Sequence, residues 1–243
     1  MKHLLHRFLL ACVVLSQAGC LPEHVPTSYL LFLDLTGSVS PAQGAAWLTT
    51  VDALLERLTF GDTIAVLPIT DRTLDAAPLF RKRVADEGQS LDDLAGAQAS
   101  LEHVRTEAAA AVRAALAAPA RANTTDVFAV VDKIAQAVDA SSTPPRIFVF
   151  SDFLDSAASD VINLEKTPLP MEELPAMVAE VQRRHGWAPD TLRGATIVGV
   201  LNGVNGGKRP PVNDRRVLHA FWGSLFGAVG GELAQFDTYV TFN

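Results

Sequence analysis

The chain contains almost no cysteine, and this limits how it can be stabilised. Its 243 residues include only two, Cys12 and Cys20, and Cys12 lies inside an apolar run near the N-terminus. If that run is removed on export, one cysteine remains, and no disulfide can form within the mature chain. A scaffold held together by disulfides is therefore excluded. A chain of this length can instead bury a sizeable hydrophobic core.

Positive charge is also scarce. Lys and Arg number 20 against 27 Asp and Glu, which gives a formal net charge of -7. Proteins that bind nucleic acid need clustered basic residues to neutralise phosphates, so nucleic acid is not expected as a partner. Hydrophobic residues make up 49% and charged residues 19% of the chain. That balance is typical of a globular protein and not of a disordered one.

The apolar run at the N-terminus, residues 8–15, is too short to cross a bilayer as a helix. Lys2 and Arg7 precede it, and small residues come after it. A basic start, a short apolar stretch and small residues are typical of a secretory signal peptide. Residues 1–19 are therefore predicted to be removed. Their loss takes away Lys2 and Arg7 but no acidic residue, so the net charge moves from -7 to -9.

The residues before Cys20 indicate a lipid anchor. Ala18, Gly19 and Cys20 resemble the lipobox of bacterial lipoproteins, although Gln17 stands where that family prefers an aliphatic residue. The resemblance implies that Cys20 becomes the lipidated first residue, for example by palmitate, and anchors the protein to a bilayer. Residues 20–28 would form the tether of a periplasm-facing envelope protein. Many lipoproteins that stay at the inner membrane of Gram-negative bacteria carry Asp directly after the lipidated cysteine. Leu21 occupies that position here and favours the outer membrane. The alternative is ordinary secretory cleavage nearby.

Alternating apolar runs and helical patterns fill the remainder, residues 29–243. Strands are predicted at residues 29–35, 63–69, 77–84, 146–150, 195–201 and 236–242. Helices are predicted at residues 41–58, 89–118, 175–184 and 215–229, with another beginning near residue 127. Ser40 before Pro41 is a favourable helix start. Such alternation predicts an α/β fold: one doubly wound, mostly parallel central sheet flanked by helices.

Three loops at the carboxyl ends of these predicted strands carry oxygen ligands. Asp34, Thr36 and Ser38 alternate in a tight turn directly after the first strand, and Asp152 directly follows the strand 146–150. A threonine opens the helix near residue 127; Thr125 is preferred over Thr124. The carboxyl ends of parallel strands share one edge of a sheet. Mg²⁺ prefers about six oxygen ligands, so a Mg²⁺ or Mn²⁺ site is predicted there.

This order of residues resembles the metal-ion-dependent adhesion site of von Willebrand A domains. That family carries Asp-x-Ser-x-Ser after its first strand, then a Thr, then an Asp after its fourth strand; Thr36 replaces the first Ser here. The resemblance implies a non-enzymatic domain in which an open position on the cation accepts an Asp or Glu of a protein partner. Lys208 and Arg209, in a loop of the same face, are expected to attract that acidic partner.

Other interpretations of the same residues stay open. The carboxylates could serve a metal-dependent hydrolase, with Asp126 or Asp152 as its general base. The domain could also be an envelope scaffold whose metal site is vestigial, in which case Ser38 and Thr125 only cap helices. Lys208 and Arg209 could be solvated loop charges. The sequence does not identify the partner.

Overall fold

One six-stranded sheet organises the chain. A computed structural model describes residues 24–87, 90–141, 143–157, 162–201 and 213–242. The strands lie in the order β3-β2-β1-β4-β5-β6, and all are parallel except β3, which runs antiparallel to β2. They are β1 (Ser28–Asp34), β2 (Thr63–Ile69), β3 (Phe80–Arg83), β4 (Arg146–Ser151), β5 (Thr196–Leu201) and β6 (Glu232–Asp237).

Helices cover both faces of this sheet. They are α1 (Pro41–Leu55), α2 (Leu91–Ala117), α3 (Phe128–Asp139), α4 (Leu174–His185) and α5 (Arg215–Ala228), with a 3₁₀ turn at Thr73–Asp75. Two separate hydrophobic clusters result, one under α1 and α2 and the other under α3, α4 and α5. This arrangement confirms the doubly wound α/β fold. Within the described ranges, no helix has the length and apolar character needed to cross a membrane.

The central strand shows why the sequence folds this way. In β1, Leu31 and Leu33 enter the cluster under α1 and α2, whereas Leu30 and Phe32 enter the opposite cluster. A strand covered on both faces needs apolar residues at every position, because neither face meets water. That is the reason for the nearly unbroken apolar run that ends at Asp34.

The predicted edge strands need correction. The last strand is Glu232–Asp237, not 236–242. Val240 and Phe242 supply the apolar pattern after it, but they pack against the cluster under α1 and α2, and the Phe242 ring lies 6.0 Å from that of Phe148. The third strand is confined to Phe80–Arg83. At a sheet edge, backbone pairing needs only one neighbour, so the hydrophobic pattern fixes strand ends poorly.

A buried carboxylate fixes the amino end of the sheet. Asp62 has no exposed surface and accepts the backbone N–H groups of Thr27 at 2.8 Å and Thr59 at 2.9 Å. Its Oδ1 also lies 3.0 Å from Nε2 of His24. These contacts attach the segment before β1 to the turn before β2. The carboxyl ends of the parallel strands, where the predicted ligands lie, are at the opposite edge.

Gly199 in β5 has no room for a side chain, and its replacement tests the packing under the candidate site. A Cβ there would lie 2.6 Å from Cδ2 of Phe236 and 3.0 Å from Cζ of Phe153. We expect Gly199→Ala to lower the free energy of unfolding by roughly 1–3 kcal/mol, because both rings are buried. Urea denaturation measures this. Gly227→Ala is the control, since nothing lies within 4 Å of its Cβ; equal stability of the two variants would contradict the packing.

Candidate metal centre

The site is built around Asp34, the last residue of β1. This carboxylate has no exposed surface. Its Oδ1 accepts the backbone N–H of Thr36 at 3.0 Å and the hydroxyl of Thr36 at 2.6 Å. Its Oδ2 accepts the hydroxyl of Ser151 at 2.8 Å, from the end of the neighbouring strand β4. A buried charge is tolerated only when such donors replace water, and here they come from two adjacent strands.

The Thr36 hydroxyl is the centre of an oxygen cluster. Besides donating to Asp34, it lies 3.0 Å from the Ser38 hydroxyl and accepts from Thr125 at 3.1 Å. A hydroxyl has one proton and two lone pairs, so Thr36 can donate to Asp34 while its lone pairs face the other two hydroxyls. Thr36 and Thr125 are buried, whereas Ser38 is exposed. The cluster therefore opens to solvent on the Ser38 side.

Thr125 reaches this cluster because its loop is held on both sides. Thr36 and Ala122 form an isolated parallel β-bridge. On the other side, the backbone N–H of Thr125 donates to the Ser156 hydroxyl at 3.0 Å, and its carbonyl accepts the N–H of Ser156 at 2.9 Å and of Ala157 at 3.1 Å. Of the two candidate threonines, Thr125 is the one whose hydroxyl contacts Thr36.

Two aspartates fix the start of α3. Asp155 is fully buried, and its Oδ2 accepts the N–H groups of Val127 at 2.6 Å and Phe128 at 3.2 Å. Asp126 accepts the N–H of Ala129 at 3.0 Å. The first N–H groups of a helix have no partner within the helix, so these carboxylates supply one. Asp155 thereby joins the loop after β4 to the loop that carries Thr125.

Asp152 lies in a sharp turn after β4. The next residue, Phe153, has a φ of 60°, a left-handed conformation that is strained for a bulky side chain. Its buried ring packs edge-on against Phe236, with centroids 4.8 Å apart, and its carbonyl accepts the indole N–H of Trp222 at 3.2 Å. These contacts hold the turn, so that Asp152 faces the cluster while Phe153 points into the core.

Both carboxylates of the site are costly to ionise where they lie. Burial, and then the nearby Asp34 carboxylate, raise the pKa of Asp152 to about 7, although the Leu154 N–H and the Ser38 hydroxyl oppose the shift. Burial also raises the pKa of Asp34, against hydrogen bonds from Thr36 and Ser151. A cation at this position would remove the cost, because a metal ion reverses the local effect on acid ionisation.

The five predicted ligands thus come together: Asp34, Thr36, Ser38, Thr125 and Asp152. In the described part of the chain, no group of three or more His, Cys, Asp or Glu side chains is placed to hold a metal ion. This cluster has two carboxylates and three hydroxyls, and that all-oxygen set fits a hard cation such as Mg²⁺. Lys208, Arg209 and Cys20 lie outside the described residues, so their roles stay predictions.

Sequence reasoning missed three residues of this site. Ser151 donates to Asp34, while Asp155 and Ser156 hold the Thr125 loop. Ser151 has a signal in the sequence: it is a polar residue that ends a run of buried strand residues beside Asp152. Asp155 and Ser156 have only a weak signal in the sequence, because Asp and Ser are common in turns of every kind.

The raised acid pKa values predict how stability depends on pH. An acid whose pKa is higher in the folded state holds its proton more tightly when folded. The free energy of unfolding therefore falls as the pH rises from the ordinary Asp pKa of 3.8 to the Asp152 pKa of about 7. We expect the cation-free protein to be more stable near pH 5 than near pH 8, and Asp152→Asn to weaken this dependence. Urea denaturation across that range measures it; identical slopes in both proteins would contradict the coupling.

Comparisons with known proteins add a similarity of shape. No family model matches the sequence, and no curated protein matches it. Among solved structures, a von Willebrand factor type A protein from Catenulispora acidiphila is similar, with 14% sequence identity and a TM-score of 0.42. The alignment covers 87% of this chain and 38% of that one, so this chain spans well under half of its length. The fold assignment rests on the strand order of the sheet itself.

Proposed function

We propose that this protein is a membrane-tethered, non-enzymatic binding domain. It binds Mg²⁺ or Mn²⁺ at the carboxyl edge of its sheet and, through that cation, an Asp or Glu carboxylate of a protein partner. The observation that carries the proposal is the contact of the Thr36 hydroxyl with Asp34, Ser38 and Thr125. Residues from separate loops converge there on one point, which helix capping alone does not require.

The ligand chemistry supports a partner carboxylate. Three of the five ligands are neutral hydroxyls, and the Asp34 oxygens already accept hydrogen bonds from Thr36 and Ser151. A divalent cation held mainly by neutral oxygens retains positive charge and attracts a further anionic ligand. The exposed position of Ser38 leaves a path for it. Lys208 and Arg209 would add long-range attraction that salt screens over about 8 Å.

The hydrolase alternative has less support. Asp126, one of its two candidate bases, accepts the Ala129 N–H at the start of α3 and so serves as a cap. Asp152, the other, belongs to the proposed ligand set. The scaffold alternative predicts that the cluster binds no cation. Metal titration therefore separates the scaffold from the other two functions, and assays of phosphoesterase and peptidase activity on the metal-loaded protein test the hydrolase.

The proposed location rests on the N-terminal residues. Lipidation of Cys20 would hold the protein on a bilayer surface, facing the periplasm and, given Leu21, on the outer membrane. The described segment just before β1 is fixed at the amino edge of the sheet, because Thr27 is hydrogen-bonded to Asp62. The proposed cation site lies at the opposite edge of the sheet from this attachment. It would therefore face away from the anchoring membrane, where a partner can reach it.

Cation binding is tested by thermal stability. Mn²⁺ or Mg²⁺ at about 100 times its dissociation constant should raise the melting temperature by roughly 5–10 °C, because only the folded state binds it. We expect no shift in Asp34→Ala or Asp152→Ala, and a much smaller one in Thr36→Val, which keeps the shape but removes a ligand. Thr49→Val, at an exposed position of α1, should respond like the unmodified protein. An unchanged metal response in all three site variants would place binding elsewhere.

Lipidation is tested by metabolic labelling. Cells expressing the full chain should incorporate labelled palmitate into the protein, and Cys20→Ser should abolish the label, because the thiol is the only attachment point in a chain cleaved after Gly19. Cys12→Ser is the matched control and should label normally, since Cys12 lies in the segment predicted to be removed. Equal labelling of the Cys20→Ser variant would contradict the anchor.

A further inference from the structure

An open groove adjoins the candidate cation site. Its volume is about 360 Å³, and it lies between the loop after β1, the start of α1 and the carboxyl end of α2. Asp34, Thr36 and Ser40 contribute its polar lining. The first two also belong to the oxygen cluster, so the groove is continuous with the proposed cation site.

The rest of the groove lining is apolar. Leu35, Val39 and Leu116 line it, and they also belong to or pack against the cluster under α1 and α2. Ala117 and Ala118, where α2 ends, are exposed and also line the groove. Side chains no larger than a methyl group leave space there that longer ones would fill.

We propose that this groove receives an aliphatic side chain of the protein partner, about the size of Val or Leu, next to the Asp or Glu that the cation binds. The partner would thus be an extended segment with an acidic residue beside an aliphatic one. This inference rests on the proposed function and adds the specificity of the same site. Polar and apolar linings meet at Thr36, which requires that the acidic and aliphatic groups of the ligand also be adjacent.

Size and charge both favour such a segment. A volume of about 360 Å³ is at the lower end of the range for ligand pockets, roughly 300–1,000 Å³, and suits one or two side chains. The exposed alanines leave part of the groove lining accessible to an extended chain. Arg121 follows the lining residue Ala120, is exposed, and donates its backbone N–H to Leu35 at 2.9 Å. An exposed positive charge one residue from the groove lining complements an acidic segment.

Labelled hexapeptides test the groove. The purified protein would be titrated, with Mn²⁺ and with chelator, against Gly-Gly-Glu-X-Gly-Gly and Gly-Gly-X-Glu-Gly-Gly, where X is Leu, Val, Gly or Lys. Of the two peptides with X as Leu, we expect the tighter-binding one to bind about tenfold more tightly than the peptide with Gly at the same position. The reason is that burial of one aliphatic side chain contributes about that much affinity. Replacing the Glu with Gln, or adding chelator, should reduce binding at least tenfold.

Two leucine variants on the same helix form a matched pair. Ala117→Leu fills the groove and should reduce the Leu-over-Gly preference to less than threefold, while the Mn²⁺ affinity stays unchanged. Ala110→Leu, at another exposed position of α2 outside the groove lining, should keep the full preference. The unchanged Mn²⁺ affinity separates a filled groove from a damaged cation site.

The outcomes separate this inference from the proposed function. Tight Mn²⁺ binding with equal affinity for all X would overturn the groove and leave the cation site standing. The protein could instead bind no Mn²⁺ and still prefer the Leu peptide, with Ala117→Leu removing that preference. This result would support the groove and reject the cation site. Absence of peptide binding under all conditions would overturn the groove. Self-association in Mn²⁺ that Ala117→Leu abolishes would replace the peptide partner with a second copy of the chain.

Discussion

The burial of the Asp34 carboxylate is the constraint on which the site depends. A charge without exposed surface at the end of the central strand must be compensated, and the loop after β1 bends back so that Thr36 can donate to it twice. Ser151 serves the same carboxylate from β4. The position of the Thr36 hydroxyl results from this requirement, and the Thr125 hydroxyl donates to it. The buried Asp34 carboxylate thus positions neighbouring oxygen atoms that could bind a cation together with it.

The acidic residues around the site have two different roles. Asp155 is buried, yet its Oδ2 accepts two backbone N–H groups and so has a structural role that needs no metal. Asp34 and Asp152 belong to the cluster itself, and burial raises the pKa of both; the nearby Asp34 carboxylate raises that of Asp152 further. The first arrangement stabilises the loops without a ligand. The pair Asp34 and Asp152 is less stable at neutral pH than at low pH, and a bound cation would reduce the cost of ionising it.

The sequence predicts the central fold well because β1, β4 and β5 are covered on both faces, so that nearly every position must be apolar. It fails at β6, where Val240 and Phe242 give the same pattern but pack as a tail against the sheet. Two loops of the site could be predicted from polar residues that come directly after the buried strands β1 and β4, and the third from the threonine at the start of α3. The roles of Asp155 and Ser156 could not, because they depend on hydrogen bonds across two loops about thirty residues apart, and no local pattern specifies such contacts.

The contacts of Asp62 have a mechanical consequence. They secure the chain just before β1, and Asp34 ends the same strand at the far edge of the sheet. If the proposed anchor and the proposed ligand both exist, a pull between them would therefore run along the axis of β1. The strand is hydrogen-bonded in register to β2 on one side and to β4 on the other. Under tension in this direction those bonds are loaded in shear and must break together, which resists extension far better than peeling them apart one at a time.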